Sequence, residues 1–154
     1  MDTSFTAPQF VHSGAIFIAT EPSVISTVLG TCIAVCLWDK HLKHAGMNHY
    51  VLPIWDGSGL PSPRFGNIAI SKLIQEMEKV GSRKHNLIAK VFGGKEVGQD
   101  RESILNIGWR NAVLAVSELR EAGIDILAID VGGNFGRKIH FNSENGVISL
   151  RRFR

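Results

Sequence analysis

Thr27-Val28-Leu29-Gly30-Thr31-Cys32-Ile33-Ala34-Val35-Cys36-Leu37-Trp38 is the stretch that decides the fold. Residues 33–38 form a short, unbroken apolar run, the pattern of a strand buried on both faces, and a glycine-containing turn ends at Cys32 just before it. Residues 39–46 are polar and hairpin-like. Residues 47–52 read as the returning strand, with Met47, His49 and Val51 on one face and Asn48, Tyr50 and Leu52 on the other. Cys32 and His49 are thereby expected on neighbouring strands. A thiol at a turn and an imidazole beside it are the minimum apparatus for acyl transfer through a thioester, and backbone N–H groups of the turn can hold an oxyanion. On pattern alone Cys32 is either a buried thiol or a nucleophile. Cys36, in the middle of the run, reads as core.

Working outward, residues 15–19 form another buried strand, and residues 53–66 form a long aperiodic loop rich in Gly, Pro and Ser. Ile70, Leu73, Ile74 and Met77 follow helical spacing up to a stop at Gly81. A strand over 87–92 ends in Gly93-Gly94, and a second amphipathic helix runs through Ala112, Ala115, Val116 and Leu119 to Gly123. Residues 124–131 are a strand, and 138–141 with 147–151 form a hairpin around Asn145-Gly146. Strands in runs with two helices between them predict a mixed α/β (α+β) class rather than strict βαβ alternation. No repeat or linker divides residues 1–154, so one domain is expected.

An apolar share of 44% with 20% charged residues is that of a globular chain. No apolar stretch approaches a membrane span. Met1-Asp2-Thr3-Ser4-Phe5 lacks the basic flank and apolar segment of a secretion signal, so the expected compartment is the cytoplasm. Across an extended 33–38 segment the two cysteines stand roughly 13 Å apart, beyond the ~7 Å bridging limit, so both are expected as free thiols. Of 17 Lys and Arg, five lie near the C-terminus: Arg137, Lys138, Arg151, Arg152 and Arg154. That edge is either solvated or suited to an acidic partner; no nucleic-acid motif accompanies it. Cys32, Cys36, His41 and His44 can be written as a zinc series, but an extended strand holds the thiols too far apart to converge. The clusters Gly93-Gly94-Lys95 and Gly132-Gly133-Asn134-Phe135-Gly136-Arg137-Lys138 match neither phosphate-binding pattern, so they read as turns or as backbone packed around a site. No metal or cofactor is expected.

Six segments in this order resemble one family: Leu29-Gly30-Thr31-Cys32-Ile33-Ala34-Val35-Cys36, Gly46-Met47-Asn48-His49-Tyr50-Val51-Leu52-Pro53, Arg64-Phe65-Gly66, Val91-Phe92-Gly93-Gly94, Asn106-Ile107-Gly108-Trp109-Arg110-Asn111 and residues 130–138. The family is that of the chemoreceptor glutamine deamidases, CheD, of bacterial and archaeal chemotaxis. The resemblance implies two packed sheets with helices on an outer face, in a fold related to cysteine-hydrolase toxin domains. It implies a Cys-His-Thr site with its nucleophile on Cys32 and its histidine on His49. The threonine falls on Thr27 or on the hydroxyl of Ser26, with Thr27 preferred. Where family members commonly carry Ser before the cysteine, this chain has Thr31, which keeps the hydroxyl. The implied reaction hydrolyses a receptor glutamine amide to glutamate and ammonia. The implied partners are methyl-accepting chemotaxis receptors and the phosphatase CheC, and some members act as receptor-binding adaptors. The 53–66 loop, with Trp55 and Phe65, is expected to border the site and help select the receptor segment.

Overall fold

The computed structural model describes residues 8–154; the segment Met1-Asp2-Thr3-Ser4-Phe5, read above for a secretion signal, lies outside the described residues. The strands are β1 (Gln9–Phe10), β2 (Ile16–Ala19), β3 (Val24–Leu29), β4 (Ile33–Asp39), β5 (His44–Asn48), β6 (Leu87–Gly93), β7 (Asp125–Val131), β8 (Gly136–Asn142) and β9 (Ile148–Phe153). The helices are α1 (Gly66–Lys79) and α2 (Ile107–Glu121). A five-stranded sheet runs β2-β5-β4-β6-β7, and a four-stranded sheet runs β1-β3-β8-β9. Pairing is antiparallel except at β6–β7 and β1–β3. Both helices cover one face of the five-stranded sheet, and the four-stranded sheet covers the other. This is the expected mixed α+β class.

The apolar run of β4 explains the layering. Ile33, Val35 and Leu37 point towards the helices, where they pack with Tyr50, Leu73, Met77, Ala115 and Leu119. Ala34 and Cys36 point the other way and meet Met47, Phe92, Ile25, Leu29, Ile139 and Phe141 between the sheets. A central strand with both faces covered reads as continuous rather than alternating. Each large side chain so buried contributes about 1.5–3 kcal/mol.

Four expectations need correction. The returning strand is β5, which ends at Asn48 rather than extending to residue 52; beyond it the pairing with β4 persists only as the isolated bridge of Tyr50 with Ile33, and Leu52 instead bridges in parallel to Phe65, just before α1. The connection is also shorter than residues 39–46, because the buried Asp39 Oδ1 accepts from the N–H groups of His41 and Leu42 and closes the turn at once. The segment Val24–Leu29, not expected as a strand, is a six-residue strand in the other sheet, antiparallel to β8. Both helices start earlier than their first periodic residues; the Asn106 side chain accepts from Trp109 N–H and caps α2.

Candidate active site

Cys32 is the residue before β4, and His49 is the residue after β5. The Ile33–Tyr50 bridge (N···O 3.1 and 2.9 Å) continues the β4–β5 register in which Cys36 faces Met47, so His49 lies opposite Ala34 and Val51 opposite Cys32. Alternation then turns Cys32, Ala34 and His49 to the same side, the one facing the four-stranded sheet. From that sheet comes Thr27. Its hydroxyl donates to the carbonyl of Val11 at 2.6 Å, and its oxygen lies 2.8 Å from His49 Nδ1. A threonine hydroxyl has a single hydrogen, so with that hydrogen on Val11 the oxygen can only accept from the imidazole. Nδ1 therefore carries the ring proton, with the Val11 carbonyl as a second acceptor at 3.3 Å, and Nε2 is left with its lone pair.

The surroundings set the protonation states. Burial lowers the pKa of His49; the Val11 carbonyl pulls it back up, and His12 adds to the lowering. The ring is a neutral base near pH 7. Burial raises the thiol of Cys32, while the positive charge of Arg64 and the residue's own backbone N–H lower it. The resting pair is therefore a thiol and a neutral imidazole. Cys36 is fully enclosed and pushed far upward by burial, as a packed core thiol should be.

Of the sequence-derived candidates, the structure joins Thr27 to His49 and sets Cys32 on the same face. Ser26 alternates to the opposite face of β3, across from His140. The 53–66 loop does border this region. It leaves after Leu52 and returns at Arg64, whose carbonyl accepts from the N–H groups of Val51 and Leu52 at 2.8 and 3.0 Å. Trp55 is half-buried and donates through Nε1 to Ser58 within the loop. The first glycine cluster packs against the site: a Cβ at Gly93, whose φ is +112°, would collide with the Cys32 carbonyl oxygen.

Arg64 and Asn111 had no assigned role in the sequence, and Arg137, grouped there with a basic edge either solvated or suited to an acidic partner, is buried instead. Arg137 is 1% exposed and donates to Asp130 and to the carbonyls of Gly93 and Gly132, which fastens β8 to the ends of β6 and β7. The signal for Asn111 was present: it stands one residue before Ala112 and four before Ala115, so a fully polar side chain falls on the apolar face of α2.

The sequence model of the family described as CheD chemotactic sensory transduction matches residues 53–152. A relative from Sulfurimonas denitrificans, named "Probable chemoreceptor glutamine deamidase CheD", is 46% identical over 93% of this chain and 92% of its own length. The chain belongs to the CheD family. A CheD relative of the same name from Trichlorobacter lovleyi is 44% identical over 98% of the chain and 94% of its own length. "Probable chemoreceptor glutamine deamidase CheD 1" of Anaeromyxobacter dehalogenans is 41% identical over 95% and 85%. Among solved structures, the crystal structure of Bacillus licheniformis hypothetical protein YfiH overlaps 74% of this CheD chain and 49% of its own at a TM-score of 0.44 and 14% identity, too loosely to inform the site.

Proposed function

We propose that this chain is a protein-glutamine deamidase acting on chemoreceptors, with Cys32 as nucleophile, His49 as proton carrier and Thr27 as the group that orients His49. The observation that carries this reading is the buried Val11–Thr27–His49 chain of hydrogen bonds, which fixes the imidazole with Nε2 unprotonated on the face shared with Cys32. In the first half-reaction His49 Nε2 takes the thiol proton as Cys32 Sγ bonds to the glutamine amide carbon, and the carbonyl oxygen becomes an oxyanion. That oxygen re-forms its double bond, the C–N bond breaks, and His49 hands its proton to the departing ammonia. Water then attacks the thioester with His49 taking its proton, the C–S bond breaks, His49 returns that proton to Cys32 Sγ, and the receptor side chain leaves as glutamate.

The neutral resting pair suits a step in which the thiol loses its proton only as the substrate arrives. The product gains a negative charge on the receptor, with no cofactor involved. The reading places the chain in the cytoplasm, and CheC is proposed as a second protein partner. No helix among the described residues is long and apolar enough to cross a membrane.

The test is ammonia release from receptor cytoplasmic fragments, compared between wild type and Cys32→Ala. Release that depends on Cys32 supports the enzyme. Binding of receptor or CheC without release would instead make the chain an adaptor.

A further inference from the structure

Three consecutive carbonyls of the turn before β4 are each held from outside it. Gly30 O accepts from Lys95 N–H at 2.9 Å, Thr31 O from Asn111 Nδ2 at 3.0 Å, and Cys32 O from Gly94 N–H at 2.9 Å. The middle bond differs from its neighbours because a side chain makes it, from the helix layer. We propose that Asn111 is a positioning residue for deamidation: by holding the Thr31 carbonyl it aims the Cys32 N–H at the developing oxyanion. This rests on the reading of Cys32 as nucleophile given above.

The peptide joining Thr31 and Cys32 is trans, so its N–H points opposite to its C=O. With the carbonyl drawn towards α2, the Cys32 N–H is turned to the other face of the sheet. That is the face where the thiol packs, between the sheets. Apart from the pull of the Cys32 N–H on its own sulfur, the N–H groups of Thr31 and Cys32 donate to no acceptor among the described residues. A held N–H beside the nucleophile is the donor geometry that an acyl-transfer oxyanion requires.

The other hydrogen of Asn111 Nδ2 goes to Val51 O at 2.9 Å, opposite Cys32 in the register and two residues past His49. One amide group thus bridges the segments that carry the nucleophile and the base. Its own backbone is anchored, since Asn111 O accepts from the Tyr50 hydroxyl at 2.6 Å. Asn111 is fully buried, and its Oδ1 has no partner. A leucine of similar size would fill the space without burying an unpaired oxygen, so packing does not account for an asparagine here; its two donors do.

The test uses Asn111→Asp, which replaces the donors with an oxygen at the same size, and Asn111→Leu, which removes donors and the unpaired oxygen together. Ammonia release from a receptor fragment gives kcat and KM, and iodoacetamide alkylation of Cys32 is followed alongside thermal melting. Alkylation of a thiol forms no oxyanion, so a merely structural role would slow both reactions. The proposal expects kcat to fall about 10²-fold in at least one folded variant, the scale for losing one oxyanion donor, with KM and alkylation nearly unchanged. Asn111 variants as active as an active wild type overturn this proposal alone, as does an equal fall in kcat and alkylation. A wild type that releases no ammonia, or a Cys32→Ala variant that releases as much as wild type, overturns the deamidase reading and this proposal with it.

Discussion

Replacing Thr27 with valine keeps the shape of the side chain and deletes its one oxygen. Two bonds go with it: the 2.6 Å donation to Val11 and the 2.8 Å contact with His49 Nδ1. In the resting protein the second is an ordinary hydrogen bond. During reaction the imidazole takes a proton at Nε2, and the same bond then steadies a cation. Bonds to charged groups are worth roughly 1.5–3 kcal/mol, and 1.36 kcal/mol is tenfold in rate, so kcat should fall by about 10- to 150-fold. The Val11 carbonyl, already 3.3 Å from Nδ1, can take over part of this role, so the lower end is expected. Thr27→Ser should recover most of the rate. The assay is steady-state ammonia release with receptor fragment, run beside thermal melting. A valine variant with a full kcat and a lowered melting temperature would show that Thr27 only supports the sheets, and the orienting role would be refuted.

Other outcomes follow from the same site. Because burial lowers His49, the acid limb of kcat/KM should fall below the ordinary histidine value of about 6.5, with activity lost as pH drops and the base becomes protonated. Because burial raises Cys32 and Arg64 offsets it, Arg64→Gln should move the alkylation midpoint of Cys32 further up and slow labelling at pH 8; an unchanged midpoint would remove Arg64 from the account. Cys36→Ala should leave deamidation intact and lower stability by about 1–2 kcal/mol in chemical denaturation. Trp55→Ala should raise the receptor concentration needed for half-maximal rate without altering Cys32 labelling. If melting falls and receptor affinity does not, the loop is scaffolding.

The sequence revealed what periodicity and local chemistry encode. The double-faced run of residues 33–38, the spacing of Ile70, Leu73, Ile74 and Met77, and the Asn-Gly hairpin each settle within a few residues, so they could be read directly. Cys32 and His49 were legible because one hairpin brings them together. The strand carrying Thr27 was not, since Val24-Ile25-Ser26-Thr27-Val28-Leu29 mixes hydroxyls with apolar residues, and its partner β8 lies more than a hundred residues downstream. That long-range pairing is also what separates Thr27 from Ser26: adjacent residues of one strand face opposite sides, and only the register tells which side meets His49. Asn111 left one trace, a polar side chain on the apolar face of α2, but the backbone carbonyls that it and Arg137 hold are distant in sequence, and such partners do not show in local pattern.

The central claim is that Cys32 forms a thioester with a receptor glutamine, which water then opens. Peptide mass spectrometry of a receptor cytoplasmic fragment, incubated with the protein in water enriched in heavy oxygen, tests it most directly. The account predicts that defined glutamines become glutamates carrying one heavy oxygen, with no cleavage of the backbone, and that Cys32→Ala and His49→Ala leave the same glutamines intact. Conversion of those glutamines by the Cys32→Ala variant at the wild-type rate would contradict it.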